Sequence, residues 1–102
     1  MLTTSIDDIR AHYQPGKGRH WFDADTLRFF RCRLPQQAYL TADGSRAYFV
    51  TSEQGPDMPR RWTVRCYTFA TRDIDTIGEF CGYSSRSGAD HTARRAALAG
   101  LK

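Results

Sequence analysis

The chain has 102 residues, 40% of them hydrophobic and 13% aromatic, with a formal charge of +4 and a pI near 9.3. That length holds one domain whose core closes without disulfide or metal staples, and a 25% charged fraction with a mean hydropathy of -0.60 excludes a disordered chain. No apolar run reaches the ~18 residues a spanning helix needs, and Met1-Leu2-Thr3-Thr4-Ser5 lacks the basic and apolar regions of a secretion signal, so a cytoplasmic protein is expected.

In chain order, Ser5-Ile6-Asp7-Asp8 places a hydroxyl three residues before an acid, the local signature of a helix start. Ile6, Ile9 and Tyr13 then recur at helical spacing until Pro15-Gly16-Lys17-Gly18 breaks the pattern, which predicts a helix over 5–13. From Trp21 to Pro35, Asp23 is a good N-cap and Leu27, Phe30 and Leu34 keep helical spacing, so a second helix is expected. The competing reading is a strand over Leu27–Leu34, because Phe29, Arg31 and Arg33 alternate with Phe30, Cys32 and Leu34.

The period changes to two at residue 37. Gln37–Thr41 and Arg46–Ser52 flank Ala42-Asp43-Gly44-Ser45, and Asp-Gly between two β-prone runs signals a hairpin. After a polar loop, Arg60–Phe69 puts Trp62, Val64 and Cys66 on one face, read as core, and Thr63, Arg65 and Tyr67 on the other. Ala70–Asp73 turns the chain into a strand from Ile74 to Tyr83, with Gly78 marking a bulge or a close backbone approach. A last helix, capped by Ser87 and running from Gly88 to Gly100, aligns Ala89, Ala93, Ala96, Ala97 and Gly100 on one narrow stripe suited to lying against a sheet. The pattern predicts one α+β domain over 1–102: two N-terminal helices, an antiparallel meander of three to four strands, and an Ala-rich C-terminal helix packed on it.

Chemistry-bearing motifs are sparse. Cys32, Cys66 and Cys81 are odd in number and widely spaced, which reads as reduced thiols in the core, and His12, His20 and His91 pair with none of them at zinc-ligand spacing. Asp73, Asp75 and Glu79 read as solvated strand-edge acids facing arginines rather than as an acid/base or cation site. No nucleophile sits in a recognisable triad or elbow. The expectation is a non-enzyme without cofactor or metal.

Thirteen of the fifteen basic side chains are arginine. Guanidinium offers a planar fork for phosphate or carboxylate and stacks on rings, where lysine is a mobile point charge. Two groupings follow. Arg28, Arg31 and Arg33 edge an aromatic segment, and Arg60, Arg61 and Arg65 with Tyr67 form an Arg/aromatic sheet face that reads as a partner-binding surface. Alternatively Arg60, Arg61, Arg65 and Tyr67, joined by Arg86, Arg94 and Arg95, form a nucleic-acid surface. The helix–strands–helix order is similar to double-stranded-RNA-binding domains, but those carry a basic first turn on the last helix, where this chain has Gly88, Ala89 and Asp90.

The blocks HWFDADTLRFFRCRL, AYFVTSEQGPD, RRWTVRCYTF and IDTIGEFCGYSS, covering about residues 20–97, resemble a family of small proteins encoded by bacteriophages and integrative or conjugative elements. The resemblance implies a mobile-element accessory protein, a setting that favours inhibitors of host defence of the anti-CRISPR kind. It carries no active-site residues. The resulting expectation is a monomer or weak homodimer, away from membranes, that sterically blocks a host nuclease or ribonucleoprotein complex. Direct nucleic-acid binding is the alternative, and self-association through Phe29, Phe30 or Tyr48 the third reading.

Overall fold

A computed structural model describes residues 2–13, 37–54 and 56–100. The elements are β1 (Thr3–Ser5), α1 (Ile6–Tyr13), β2 (Gln37–Leu40), β3 (Arg46–Glu53), β4 (Arg61–Thr68), β5 (Asp73–Ile77) and α2 (Arg86–Ala99). The fold is α+β, and the five strands form one antiparallel sheet in chain order, β1-β2-β3-β4-β5. Beyond the expected meander, the N-terminal Thr3–Ser5 adds a strand by pairing with Gln37–Tyr39. The expected helix or strand between residues 21 and 35 lies outside the described residues.

Local chemistry sets the element ends. Ser5 Oγ accepts the Asp8 amide at 3.1 Å, filling one of the bare N–H groups at the start of α1, while Asp7 and Asp8 complement its dipole. At its other end the guanidinium of Arg72 donates to the His12 carbonyl at 3.1 Å. In the β2–β3 hairpin, Asp43 Oδ1 accepts from the Thr41 hydroxyl and from the amide and hydroxyl of Ser45, and Thr41 N–H donates to the Arg46 carbonyl. These bonds hold the Asp43 carboxyl well below its ordinary range, at about 2.

Two boundaries differ from expectation. The strand starting after Asp73 ends at Ile77, where Gly78 takes φ +76°; a side chain there would meet no crowding, so the glycine serves the turn and not a close approach. The chain then rejoins β4 at one point, Trp62 and Tyr83 exchanging both backbone hydrogen bonds. The cap of α2 is Ser85 instead of Ser87: its extended backbone and its hydroxyl, which accepts the Gly88 amide at 3.1 Å, start the helix two residues earlier. Gly100 closes α2 in the left-handed conformation, φ +67°.

Each face of the sheet carries its own core. On one, Tyr39, Tyr48, Val50, Val64 and Cys66 meet the alanine stripe Ala89, Ala93, Ala96 and Ala97 of α2. On the other, Ala38, Ala47, Phe49 and Tyr67 meet Ile6, Ile9 and Tyr13 of α1. β3 and β4 are therefore buried on both faces, and the side of β4 bearing Thr63, Arg65 and Tyr67 is interior too. Tyr48, 0% exposed, offers no surface for self-association.

Candidate functional site

The arginines singled out by the sequence separate into three groups. Arg65 is 3% exposed. Its Nε donates to Thr51 Oγ1 at 3.1 Å, Nη1 to Thr76 Oγ1 at 2.5 Å and Nη2 to Glu53 Oε1 at 3.4 Å, while its guanidinium stacks over the Phe80 ring at 5.3 Å. Burial pushes the Glu53 carboxyl above its ordinary value, and the Arg65 charge opposes that rise. Tyr67, beside it on the same face, is 0% exposed; its hydroxyl meets His12 Nδ1 at 2.7 Å and its ring packs edge-on to His12 and Phe69. The expected Arg/aromatic docking surface on β4 is thus corrected: both side chains are internal, Tyr67 packed against α1 and Arg65 held by Thr51, Thr76 and Glu53 beside the Phe80 ring.

Arg60 and Arg61 are half-buried and tied into local structure. Arg60 donates to Ser52 Oγ and Gln54 Oε1, bracing the β3–β4 connection, and Arg61 Nε donates to the Cys81 carbonyl at 3.0 Å. Arg28, Arg31 and Arg33 lie outside the described residues.

Arg86, Arg94 and Arg95 differ from all of these. Each is exposed on α2, as is His91, and none makes an ion pair or side-chain hydrogen bond among the described residues. The helix has one acid, Asp90, four residues from both Arg86 and Arg94 and so placed to pair with either. It does not: Tyr39 on β2 donates its hydroxyl to the Asp90 carboxylate, 2.8 Å from both oxygens. Burial first, and then the bond to Asp90, push the Tyr39 phenol above its ordinary value. The sheet thereby ties down the one carboxylate of α2 and leaves its arginines to solvent.

One turn further along α2, Leu98 is 71% exposed. With Ala97, Leu2, Leu40 and Ala42 it lines an open groove of about 310 Å³, bounded by the last turn of α2, the start of β1 and the β2–β3 turn. Sequence periodicity placed the alanines of α2 inward and its arginines outward. Leu2, Leu98 and the Tyr39–Asp90 bond went unnoticed; the i, i+4 spacing of Arg86, Asp90 and Arg94 was the available signal for the acid's special position.

Among the described residues no three His, Cys, Asp or Glu side chains are grouped to hold a metal ion. Cys66 is buried as expected, while Cys81 is half-buried. No described helix is long and apolar enough to cross a membrane.

Among the described residues, a five-stranded antiparallel meander with α1 on one face and the arginine-bearing α2 on the other defines a small α+β domain. The chain belongs to DUF7447, a family of unknown function, whose match covers residues 5–94, from the α1 cap through Arg94. No curated protein and no solved structure matches it.

Proposed function

We propose that this chain is a non-enzymatic binding protein that seats the outer face of α2 on an acidic surface of a larger complex and blocks it sterically. A host nuclease or ribonucleoprotein is the target class, and a phage or other mobile element the setting, on the strength of the sequence resemblance. The observation that carries the reading is the set Arg86, Arg94 and Arg95: three exposed guanidiniums without partners among the described residues, on a helix whose single carboxylate is held by Tyr39. Arginine is enriched where interfaces concentrate their energy, and its planar fork suits carboxylates. Of the anchors expected on β4 and its approach, Arg65 and Tyr67 are interior and Arg60 and Arg61 are tied into local structure, so the reading moves to α2.

Replacing Arg94 and Arg95 by glutamate tests this. Both side chains are exposed, so thermal stability should stay within about 0.5 kcal/mol of the parent. A protein partner captured by the parent from nuclease-treated lysate should be lost by the variant. Retention of that same partner overturns the assignment of α2.

The same free arginines also favour direct contact with a phosphate backbone as a second reading. Three guanidiniums would give a salt slope of about −2.7 in a double-logarithmic plot of affinity. Tyr67, the ring expected to stack on bases, is interior and adds nothing to this reading. A duplex oligonucleotide binding with that slope, and no protein captured, would favour this reading.

A further inference from the structure

Leu2 and Leu98 are 56% and 71% exposed, and the groove they line has Ala97 and Leu98 of α2 as one wall. Arg94 and Arg95 stand four and three residues before Leu98, so the two guanidiniums and the apolar rim share one helical turn. An apolar centre with arginines at its border is the composition of a protein-docking surface, whereas a phosphate-backbone site gains nothing from exposed leucines. We infer that this groove seats a large apolar side chain of an acidic segment in the partner protein, whose carboxylates flank that anchor and meet Arg94 and Arg95. This deepens, and rests on, the assignment of the binding face to α2.

Charge complementarity selects the occupant. The chain carries +4 overall. The acids of the elements that bound the groove, Asp90 on α2 and Asp43 in the β2–β3 turn, are already engaged, Asp90 by Tyr39 and Asp43 by three bonds within its own turn. A second copy docked on the same face would present the same arginines and be repelled, while an acidic segment supplies carboxylates to guanidiniums that have no partner among the described residues. The apolar side chain adds what charge alone does not, since its contact survives added salt and fixes the position of the segment along α2.

The test uses the isotope-labelled full chain titrated by NMR with three probes: a peptide of glutamates interspersed with leucines, a polyglutamate peptide of the same length, and duplex DNA. The leucine-bearing peptide should shift the amides of Leu2, Ala42, Ala97 and Leu98 together with those of Arg94 and Arg95. It should bind about tenfold more tightly than polyglutamate, the worth of one buried leucine side chain. Leu98→Ser, with Leu2→Ser as a second variant at another exposed position, should erase that difference without changing the melting temperature. Equal affinity of the two peptides, with shifts confined to the arginines, overturns the groove proposal and leaves the α2 reading standing. Groove shifts that grow with protein concentration alone assign the groove to a second copy and overturn it as well. Peptide binding unaffected by replacing Arg94 and Arg95 with glutamate overturns the α2 reading itself, while duplex DNA outcompeting both peptides overturns the groove proposal and the protein-partner reading in favour of phosphate-backbone contact.

Discussion

Replacing Arg65 by methionine separates a structural arginine from a docking one. Methionine keeps much of the stem and the volume but none of the donors, so Thr51 and Thr76 each lose a partner and Glu53 loses its countercharge across the sheet. Breaking a fully buried ion pair from one side costs about 3–5 kcal/mol. Glu53 keeps 17% of its side chain exposed and can draw in water, which lowers the expectation to about 2–4 kcal/mol, including the lost charged hydrogen bonds. For a domain of this size that is a fall of roughly 10–30 °C in melting temperature. Urea and thermal denaturation read it directly. The pH dependence adds a second check. Glu53 has its folded value raised above the ordinary 4.5, so its ionisation costs stability at neutral pH, and that cost is recovered as pH falls through the folded value. Removing Arg65 takes away the opposing influence and moves the window upward, so the deficit of the variant against the parent should shrink on acidification. A variant within 1 kcal/mol of the parent at pH 7 would refute the buried network and return Arg65 to the surface.

Tyr48→Phe should stabilise the fold by about 1 kcal/mol, since its buried hydroxyl has no nitrogen or oxygen hydrogen-bond partner among the described residues and meets the weakly bonding Cys66 thiol instead; a loss of stability in urea denaturation would mean the hydroxyl is satisfied. Ala93→Leu forces a larger side chain between α2 and the sheet and should cost about 1–3 kcal/mol, read as a lower urea midpoint at unchanged slope. Asp43, held at about 2, should stay ionised in an NMR titration down to pH 3, and the stability it lends above its ordinary value of 3.8 should be lost as pH falls through 2; an ordinary titration midpoint would show that the turn bonds do not form in solution.

The readable parts of the fold were those whose chemistry is local. Asp43-Gly44 located the β2–β3 hairpin, and the alanines of α2 gave its buried stripe within a residue or two of its ends. β1 escaped notice because Thr3-Thr4-Ser5 is short and has no apolar alternation; pairing with β2, distant in sequence, makes it a strand. The face of β4 was misread for a related reason. Thr63, Arg65 and Tyr67 look solvated when their partners are unknown, yet each is satisfied: Thr63 by the Cys81 amide, Arg65 by neighbouring strands and Tyr67 by His12 of α1. The unbroken run Ala47-Tyr48-Phe49-Val50 in neighbouring β3 already implied burial on both faces. Two helices with apolar stripes and a single sheet implied the same. For the proposed binding surface, arginines are visible in the sequence but not which of them the fold consumes: Arg60, Arg61, Arg65 and Arg72 brace the structure, and only geometry sets Arg86, Arg94 and Arg95 apart.

The sheet's strictly sequential order shapes how the molecule assembles. Three of its four strand pairings join neighbours across short connections, so β2 through β5 close at small loop-entropy cost and α2 can settle on them at once. Only the pairing of β1 with β2, which brings α1 onto the opposite face, spans a long stretch of chain. The N-terminal unit should therefore dock last and open first, with amide exchange slowest at the centre of β3 and β4 and fastest in Thr3–Tyr13. Because Leu2 belongs to that unit, the groove beside α2 would be completed only at the final folding step and undone by the earliest local opening.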